Sequence, residues 1–236
     1  MSSSTSSRLP GGLTTVGAKM LVALTGIALI LFVIAHMLGN LQIFLGPEAL
    51  NEYAHKLKSM GPLLWVARIG LLAVFLTHIA LTLALSKRNA SARGPSAAES
   101  PNSVLGERYR DGYGYQTATS ASRYMIQTGL LILAFVVYHL VHFTFAPDTT
   151  ALGTEGNVYA MVIKGFSKPL IAAIYIIAQL ILAAHIYHGA SSCLQTLGLR
   201  TPSTKPAISK AGLLLAAVIA LGNLSIPLAV LSGQIS

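Results

Sequence analysis

Five long apolar runs, separated by shorter polar segments, dominate the pattern of hydrophobic and polar positions along the chain. The runs are 21 to 25 residues long, and as helices they would reach roughly 31 to 38 Å, which is enough to cross a bilayer. Because lipid offers no hydrogen-bond partner to free backbone groups, runs of this length are expected to be helical. The pattern therefore predicts an all-α membrane protein, a bundle of five transmembrane helices. The predicted spans cover residues 16–38, 62–86, 124–146, 169–192 and 211–231.

Two of the polar segments have patterns of their own. Residues 47–60 place apolar side chains at helical spacing opposite charged ones, which predicts a short helix in the outer membrane interface. An ordinary surface helix would show the same pattern. Residues 87–123 begin as a Ser/Ala/Gly/Pro tract and become aromatic and basic at GERYRDGYGYQ. This second half is either a docking surface for a partner or a solvated basic loop, and composition does not separate the two.

Composition agrees with a membrane protein and removes several kinds of site. Of the 236 residues, 53% are hydrophobic and 10% are charged, whereas charged residues make up about a quarter of a soluble domain. The only cysteine is Cys193, so this chain can form no four-cysteine iron–sulfur or zinc site and no c-type haem attachment. We expect Cys193 to be a packed thiol, and any redox metal must bind histidine.

Lysine and arginine residues are divided unevenly between the two sides of the predicted bundle. Eleven lie on one side of the five spans and four lie on the other. The positive-inside rule makes the richer side cytoplasmic, which places the amino terminus and the loop 87–123 in the cytoplasm and the carboxyl terminus outside. The net charge of +9 therefore reflects membrane orientation and does not indicate binding to nucleic acid.

Histidine is the one ionisable residue type that recurs within the spans. An ionisable side chain at membrane depth is costly and often functional, although a histidine that bonds to a neighbouring helix is a common structural alternative. No Asp or Glu falls within any span, which argues against a divalent-ion transporter or a carboxylate proton relay. Six of the seven histidines lie inside or at the end of the first four spans: His36, His78, His139, His142, His185 and His188.

Depth in the membrane selects a first pair of histidines. Ligands of one planar cofactor must lie at the same height on facing helices. His36 lies 17 residues after Lys19 and His139 lies 16 residues after Arg123. Both are therefore roughly 24 to 26 Å from the cytoplasmic side, and they form a predicted outer pair.

The descending spans supply a second pair. His78 lies 9 residues before Lys87 and His188 lies 12 residues before Arg200. Both are roughly 14 to 18 Å from the cytoplasmic side, and they form a predicted inner pair. The two levels would be roughly 6 to 12 Å apart along the bundle axis.

Two histidine pairs with almost no other coordinating groups fit two bis-histidine b-type haems better than any other metal site. His142 and His185 match the two heights less well, and we expect them to support the ligands or to line helix interfaces. Arg68 lies about level with the outer pair and is predicted to bind a propionate of the outer haem, unless it extends to the outer interface instead. The chain has no flavin or nicotinamide motif, so electrons must be exchanged with another subunit on the cytoplasmic side and with a lipid-soluble quinone on the outer side.

The segments around these histidines resemble a known family, the single-chain dihaem cytochrome b subunit of succinate dehydrogenase and fumarate reductase. The resemblance runs from about residue 16 to residue 200, and together its segments are specific whereas any one alone would be weak. It is carried by FVIAHMLGNLQIF, NEYAHKL, WVARIGLLAVFLTHIALTLAL, SRYMIQTGLLILAFVVYHLVHF and AAHIYHGASSCLQTLGL.

The resemblance implies a five-helix anchor in the bacterial inner membrane with two haems b. It also implies a flavoprotein subunit and an iron–sulfur subunit on the cytoplasmic side, menaquinone as the quinone, and a place in the respiratory chain and the tricarboxylic acid cycle. The anchor itself would have no dicarboxylate site. The family's axial ligands fall on His36, His78, His139 and His188, with the first span paired to the third and the second to the fourth.

The resemblance also suggests where quinone would react. In this family the quinone site is near the outer haem, where Glu52 would be the acidic residue, with Asn51, His55 and Trp65 close by in sequence. Glu52 could exchange the quinone proton, or it could simply form an i,i+4 ion pair with Lys56. The lack of carboxylates in the spans argues against the transmembrane proton route that some relatives are thought to use.

Two other classes of protein remain possible from the sequence. The chain could be the haem b anchor of another membrane dehydrogenase, such as a hydrogenase or a formate dehydrogenase. It could instead be a transporter or scaffold whose histidines are structural, and such a protein would show no Soret band.

Overall fold

The computed structural model describes residues 12–92, 124–145 and 157–236. Within these ranges 88% of the residues are helical, none is in a strand, and five helices are long and apolar enough to span a membrane. The predicted all-α fold with five transmembrane helices is confirmed. In chain order the helices are α1 (Thr15–Asn40), α2 (Pro47–Ser59), α3 (Pro62–Ala92), α4 (Met125–Leu140), α5 (Val158–Phe166), α6 (Pro169–Thr196) and α7 (Lys205–Leu231). The spanning helices are α1, α3, α4, α6 and α7.

Local signals at the carboxyl-terminal end of α1 explain how the chain turns into α2. A 3₁₀ segment, Leu41–Leu45, continues α1, and Gly46 follows it with φ +104°, a backbone conformation that is accessible mainly to glycine. Pro47 then occupies the first turn of α2, where its missing N–H costs nothing. The chain therefore reverses within a few residues and lays α2 over the end of α1.

The spanning helices form a four-helix ring with the fifth helix outside it. In the part of the chain that the structure describes, α1 packs on α3 and α6, α6 packs on α4 and α7, and α3 touches α4. Helices α1 and α4 therefore face each other across the ring, as do α3 and α6. Side chains from opposite helices meet in the middle of such a bundle, which is where helical bundles build their cofactor and metal sites.

Two short helices, α2 and α5, pack together at one end of the ring. The helix predicted over residues 47–60 is present as α2, whereas α5 was not predicted. Asn51 Nδ2 donates to Asn157 Oδ1 at 3.1 Å, and the Tyr159 N–H donates to Asn51 Oδ1 at 3.1 Å. Asn157 Oδ1 also accepts from the Ala160 N–H at 2.9 Å and so caps α5. The position of this helix pair in the outer membrane interface stays a prediction.

The loop predicted between residues 87 and 123 lies only partly within the described residues. Its first six residues continue α3 as far as Ala92, so α3 ends six residues later than the predicted span. The aromatic and basic segment GERYRDGYGYQ lies outside the described residues, and its interpretation as a docking surface stays a prediction.

Candidate functional site

The structure brings the two histidines of the predicted outer pair together. His36 on α1 and His139 on α4 face each other across the ring, with ring centroids 5.8 Å apart and ring planes at 87°. Two imidazoles that bind one metal ion from opposite sides place their bonded nitrogens about 4 Å apart, because each metal–nitrogen bond is about 2.0–2.1 Å long, and their ring centres are further apart than the nitrogens. The arrangement fits one metal between the two rings, and coordination itself stays a prediction.

Aromatic side chains surround the outer pair. Phe32 stacks on His36 with ring centroids 5.5 Å apart, and Phe135 and Phe143 lie 5.9 and 5.8 Å from His139. An apolar and aromatic environment of this kind suits the flat, apolar surface of a porphyrin.

A tyrosine hydroxyl connects His139 to a second histidine. The buried Tyr175 on α6 places its hydroxyl 3.3 Å from His139 Nδ1 and 3.0 Å from His142 Nδ1. A hydroxyl has one proton and two lone pairs, so it can accept a hydrogen bond from one ring and donate a hydrogen bond to the other. If the Nδ1–H of His139 donates to Tyr175, the Nε2 atom of His139 keeps its lone pair for a metal.

The inner level has a different hydrogen-bonding partner. His78 on α3 places its Nδ1 atom 3.1 Å from the Thr25 hydroxyl of α1. Its ring lies over Gly26, where an added Cβ would be 3.3 Å from His78 Cε1 and equally close to the sulfur of Cys193. Cys193 is a buried free thiol.

The same arrangement recurs between α4 and α6, but with His185. His185 Nδ1 lies 3.0 Å from the Thr128 hydroxyl, and its ring lies beside Gly129, where a Cβ would be 3.5 Å from His185 Cε1. His185 also interacts electrostatically with His78 and His188. By its contacts His185 is thus the counterpart of His78.

An internal repeat in the sequence underlies this correspondence. The pattern Thr-Gly, nine residues, then His occurs at 25–36 in α1 and again at 128–139 in α4. The dipeptide His-Ile then follows at 78–79 in α3 and at 185–186 in α6. The depth-based prediction of ligands did not use this repeat, although the repeat distinguishes His185 from His188 by sequence alone.

His188, the predicted inner ligand on α6, lies one helical turn beyond His185 and interacts electrostatically with Arg200. The Arg200 Nη1 atom donates to Gln195 Oε1 at 2.8 Å, whereas its Nε atom is buried with no hydrogen-bond partner among the described residues. A buried guanidinium N–H that lacks a partner suits an acidic group, such as a haem propionate. These surroundings favour His185 over His188 as the ligand.

Arg68, predicted to bind an outer propionate, has a different neighbour in the structure. Its guanidinium carbon lies 5.2 Å from the centre of the Trp65 ring, a cation–π contact on the exposed surface of α3. The propionate contact stays a prediction, and the observed contact agrees better with an arginine at the membrane interface.

Glu52, the predicted proton-exchange group, forms an ion pair with Lys56 at 2.8 Å, and both side chains are exposed. The hydrogen bond from Lys56, and then its charge, hold the pKa of Glu52 below its ordinary value. The nearby Asn51 is bonded to α5, while His55 is exposed. Glu52 and Asn51 thus have different partners. A joint role of Glu52, Asn51 and His55 in quinone binding stays a prediction.

The metal-binding side chains present in the bundle limit the kind of metal site that is possible. Across the described ranges, no group of three or more His, Cys, Asp or Glu side chains lies close enough to hold a metal ion. A metal ion bound by one of these histidine pairs would need its other ligands from elsewhere, and a haem would supply them from its macrocycle.

Comparison with known proteins supplies an independent finding. The family model for the succinate dehydrogenase/fumarate reductase transmembrane subunit matches residues 107–223. The match covers α4 to α6 and most of α7, whereas α1 to α3, with His36 and His78, lie outside it. No curated protein and no solved structure matches the chain.

Proposed function

The chain belongs to the family of succinate dehydrogenase/fumarate reductase transmembrane subunits, and we propose that it binds two b-type haems and transfers electrons between an iron–sulfur subunit and menaquinone. Family membership makes it a multi-pass membrane subunit of an oxidoreductase complex. It also sets aside the alternatives of a hydrogenase or formate dehydrogenase anchor. The observation that best supports the haems is the contact of His36 with His139 across the ring.

The outer haem would be held by His36 and His139. A bound haem supplies reversible one-electron chemistry at its iron. The chain's own contribution is to present Nε2 of His139, through the bond between its Nδ1 atom and Tyr175, and to surround the site with phenylalanine rings that exclude water.

The inner haem would be held by His78 and by one histidine of α6. We propose His185, because the Thr128 bond and the internal repeat match it to His78. His188 and Arg200 would then lie toward the acidic edge of the macrocycle. His188 as the ligand remains the alternative, and single alanine variants of the two histidines distinguish them.

The spacing of the two levels suits electron transfer along the bundle. Thr25, which contacts the inner histidine, and His36 are 11 residues apart on α1, or roughly 16 Å. This count gives a larger spacing than the 6 to 12 Å predicted by counting from the basic residues, and the spacing of the haems stays a prediction. Two haems at these levels would lie toward opposite faces of the membrane.

We propose the outer end of the bundle as the quinone site, with Glu52 as a base for quinone protons. Its support is the proximity of α2 to the outer pair: a Cβ at Gly39, three residues after His36, would be 2.5 Å from the Tyr53 hydroxyl. Glu52 precedes Tyr53 on the same helix. A quinone would have to compete with Lys56 for this carboxylate.

The experiment is haem quantitation on the purified complex by pyridine haemochrome and by reduced-minus-oxidised spectra. We expect two haems b per chain, loss of one haem in both H36A and H139A, and loss of the other in H78A. Of H185A and H188A, we expect only the first to lose the inner haem. His55→Ala, an exposed histidine of α2, is the control and should keep both haems. A folded wild-type complex without a Soret band would refute the proposal.

A further inference from the structure

We propose that Thr25 and Thr128 are positioning residues for the inner haem, each accepting the Nδ1–H of a facing histidine so that its Nε2 atom is left to bind iron. The inference rests on the proposed dihaem function. It concerns residues that lie on α1 and α4, helices that contribute no ligand to the inner haem.

The hydrogen bonds of Thr25 determine which partner is the donor. Its Oγ1 atom lies 2.7 Å from the Leu21 carbonyl oxygen and 3.1 Å from that of Val22, so the single hydroxyl proton is directed to the backbone of α1. The third neighbour, His78 Nδ1 at 3.1 Å, must therefore carry the proton and donate it. A neutral imidazole with a proton on Nδ1 has its lone pair on Nε2.

Thr128 repeats the same geometry on α4. Its Oγ1 atom lies 3.0 Å from the Tyr124 carbonyl oxygen and 3.1 Å from that of Met125, and His185 Nδ1 lies at 3.0 Å. Because the hydroxyl proton of Thr128 is likewise directed to the backbone, His185 must donate the hydrogen bond from its Nδ1–H. Two helices in different halves of the chain thus hold the two proposed inner ligands in the same neutral tautomer, with the proton on Nδ1.

A glycine follows each threonine and makes room for the histidine ring. A Cβ at Gly26 would lie 3.3 Å from His78 Cε1, and one at Gly129 would lie 3.5 Å from His185 Cε1. Helix packing alone explains a small residue at these positions, but it does not explain a hydroxyl beside it, since valine has the same shape as threonine. The repeated hydroxyl therefore points to a role in hydrogen bonding.

The expected consequence is electronic as well as geometric. A hydrogen bond from Nδ1–H makes an imidazole a stronger ligand and fixes the orientation of its ring. A stronger axial donor favours ferric iron, so losing the acceptor should raise the midpoint potential of the inner haem. The outer haem should not change, because His139 has Tyr175 as its partner.

The test is a spectroscopic redox titration of the intact complex carrying Thr25→Val, Thr128→Val or the matching serine variants. Valine keeps the shape and removes the acceptor, whereas serine keeps the acceptor. We expect both valine variants to raise the midpoint potential of the inner haem alone and the serine variants to stay near the wild-type value. Thr82→Val is the control, because the Thr82 hydroxyl bonds to the backbone carbonyls of His78 and Ile79 and to no ring nitrogen.

Several outcomes separate this inference from the proposed function. Two bound haems with an unchanged inner potential in the valine variants would overturn the inference and leave the function standing. A shift of the same size in Thr82→Val would also overturn it, since the cause would then be helix distortion. If valine variants lose the inner haem, recovery in the serine variants supports the inference, and loss in both overturns it. A haem-free wild type would refute the proposed function itself.

Discussion

At the scale of single residues, glycine decides where a histidine ring can lie in this bundle. Gly26 has neighbours on two sides, since His78 and Cys193 both approach the position that its Cβ would occupy. Among the residues that the structure describes, a Cβ at Gly129 would meet only His185, at an ordinary contact distance. The two halves of the repeat therefore differ in how much extra volume they can accept.

This difference predicts opposite results for two matched variants. Gly26→Ala should cost about 1 to 3 kcal/mol, because a Cβ only 3.3 Å from both neighbours must push His78 or Cys193 away. Gly129→Ala should be neutral or stabilising by up to about 1 kcal/mol, because its Cβ fits and alanine favours the helix. Thermal unfolding of the complex, followed with the inner-haem spectrum, checks both. Equal losses in the two variants would contradict the explanation.

The ion pair of Glu52 predicts a small effect of pH on stability. Lys56 lowers the folded-state pKa of Glu52, so the pair stabilises the fold above the ordinary carboxyl pKa of about 4.3, and this is lost as pH falls through the folded-state value. Glu52→Gln should therefore unfold slightly earlier than the wild type at pH 7 and at the same temperature in strong acid.

A second substitution isolates that interaction. In a Lys56→Gln background, Glu52→Gln should have no further effect on unfolding at neutral pH. If Glu52→Gln still lowers the unfolding temperature in the Lys56→Gln background, another group must lower the pKa of Glu52. Measuring quinone turnover on the same variants shows whether the carboxylate also acts as a base.

Residue counts from the basic residues to each histidine predicted which histidines share a depth in the membrane. They selected His36 and His139, which the structure places in contact. They also selected His188 over His185, and that choice stays a prediction, because the two histidines are one turn apart, roughly 4.5 Å, which is smaller than the error of distances counted from Arg200. The hydroxyl contact of His185 depends on how α4 and α6 pack, which only the structure shows.

At the scale of helices, the length of an apolar run was enough to predict the spanning helices but not the short helices. An apolar run long enough to cross the membrane has no alternative to a helix. The nine residues of α5 are too few for a stable isolated helix, and their stability comes from contacts distant in sequence. Asn51 and the buried Phe166 supply such contacts, and neither could be inferred from the local pattern.

The pairing of α2 with α5 therefore predicts a shared loss of order. Asn51→Ala removes the acceptor of the Tyr159 N–H and the donor to Asn157, and should destabilise this pair by about 1 to 3 kcal/mol. Hydrogen exchange should accelerate in both helices while the spanning helices stay protected. Asn51→Asp keeps the acceptor for Tyr159 and replaces the donor to Asn157 with a charged oxygen, so comparison with Asn51→Ala shows how much the Tyr159 hydrogen bond contributes. Faster exchange in α2 alone would show that the two helices are not coupled.

At the scale of the whole molecule, one four-helix ring can present two sites because both diagonals are used. The pair α1 and α4 brings His36 and His139 into contact, and the facing pair α3 and α6 carries His78 and His185, which interact electrostatically. The direction of an electron path through such a bundle can be assigned only when the orientation of the bundle in the membrane is known. Orientation is predicted from the charge of the loops, and it would decide which end of the bundle faces the proposed soluble subunits.

Cysteine labelling tests that orientation directly. In a Cys193→Ala background, cysteines at the exposed positions Ser59, Ser203 and Ser232 report the end of α2, the loop between α6 and α7, and the end of α7. An impermeant maleimide should label S59C and S232C in intact cells, and S203C only after permeabilisation, because the positive-inside rule predicts that Arg200 and Lys205 lie on the cytoplasmic side. The reverse pattern would place the inner pair at the outer face, and the proposed iron–sulfur partner would then have to bind at the end covered by α2. Labelling of S203C and S232C from the same side would instead show that α7 does not cross the membrane.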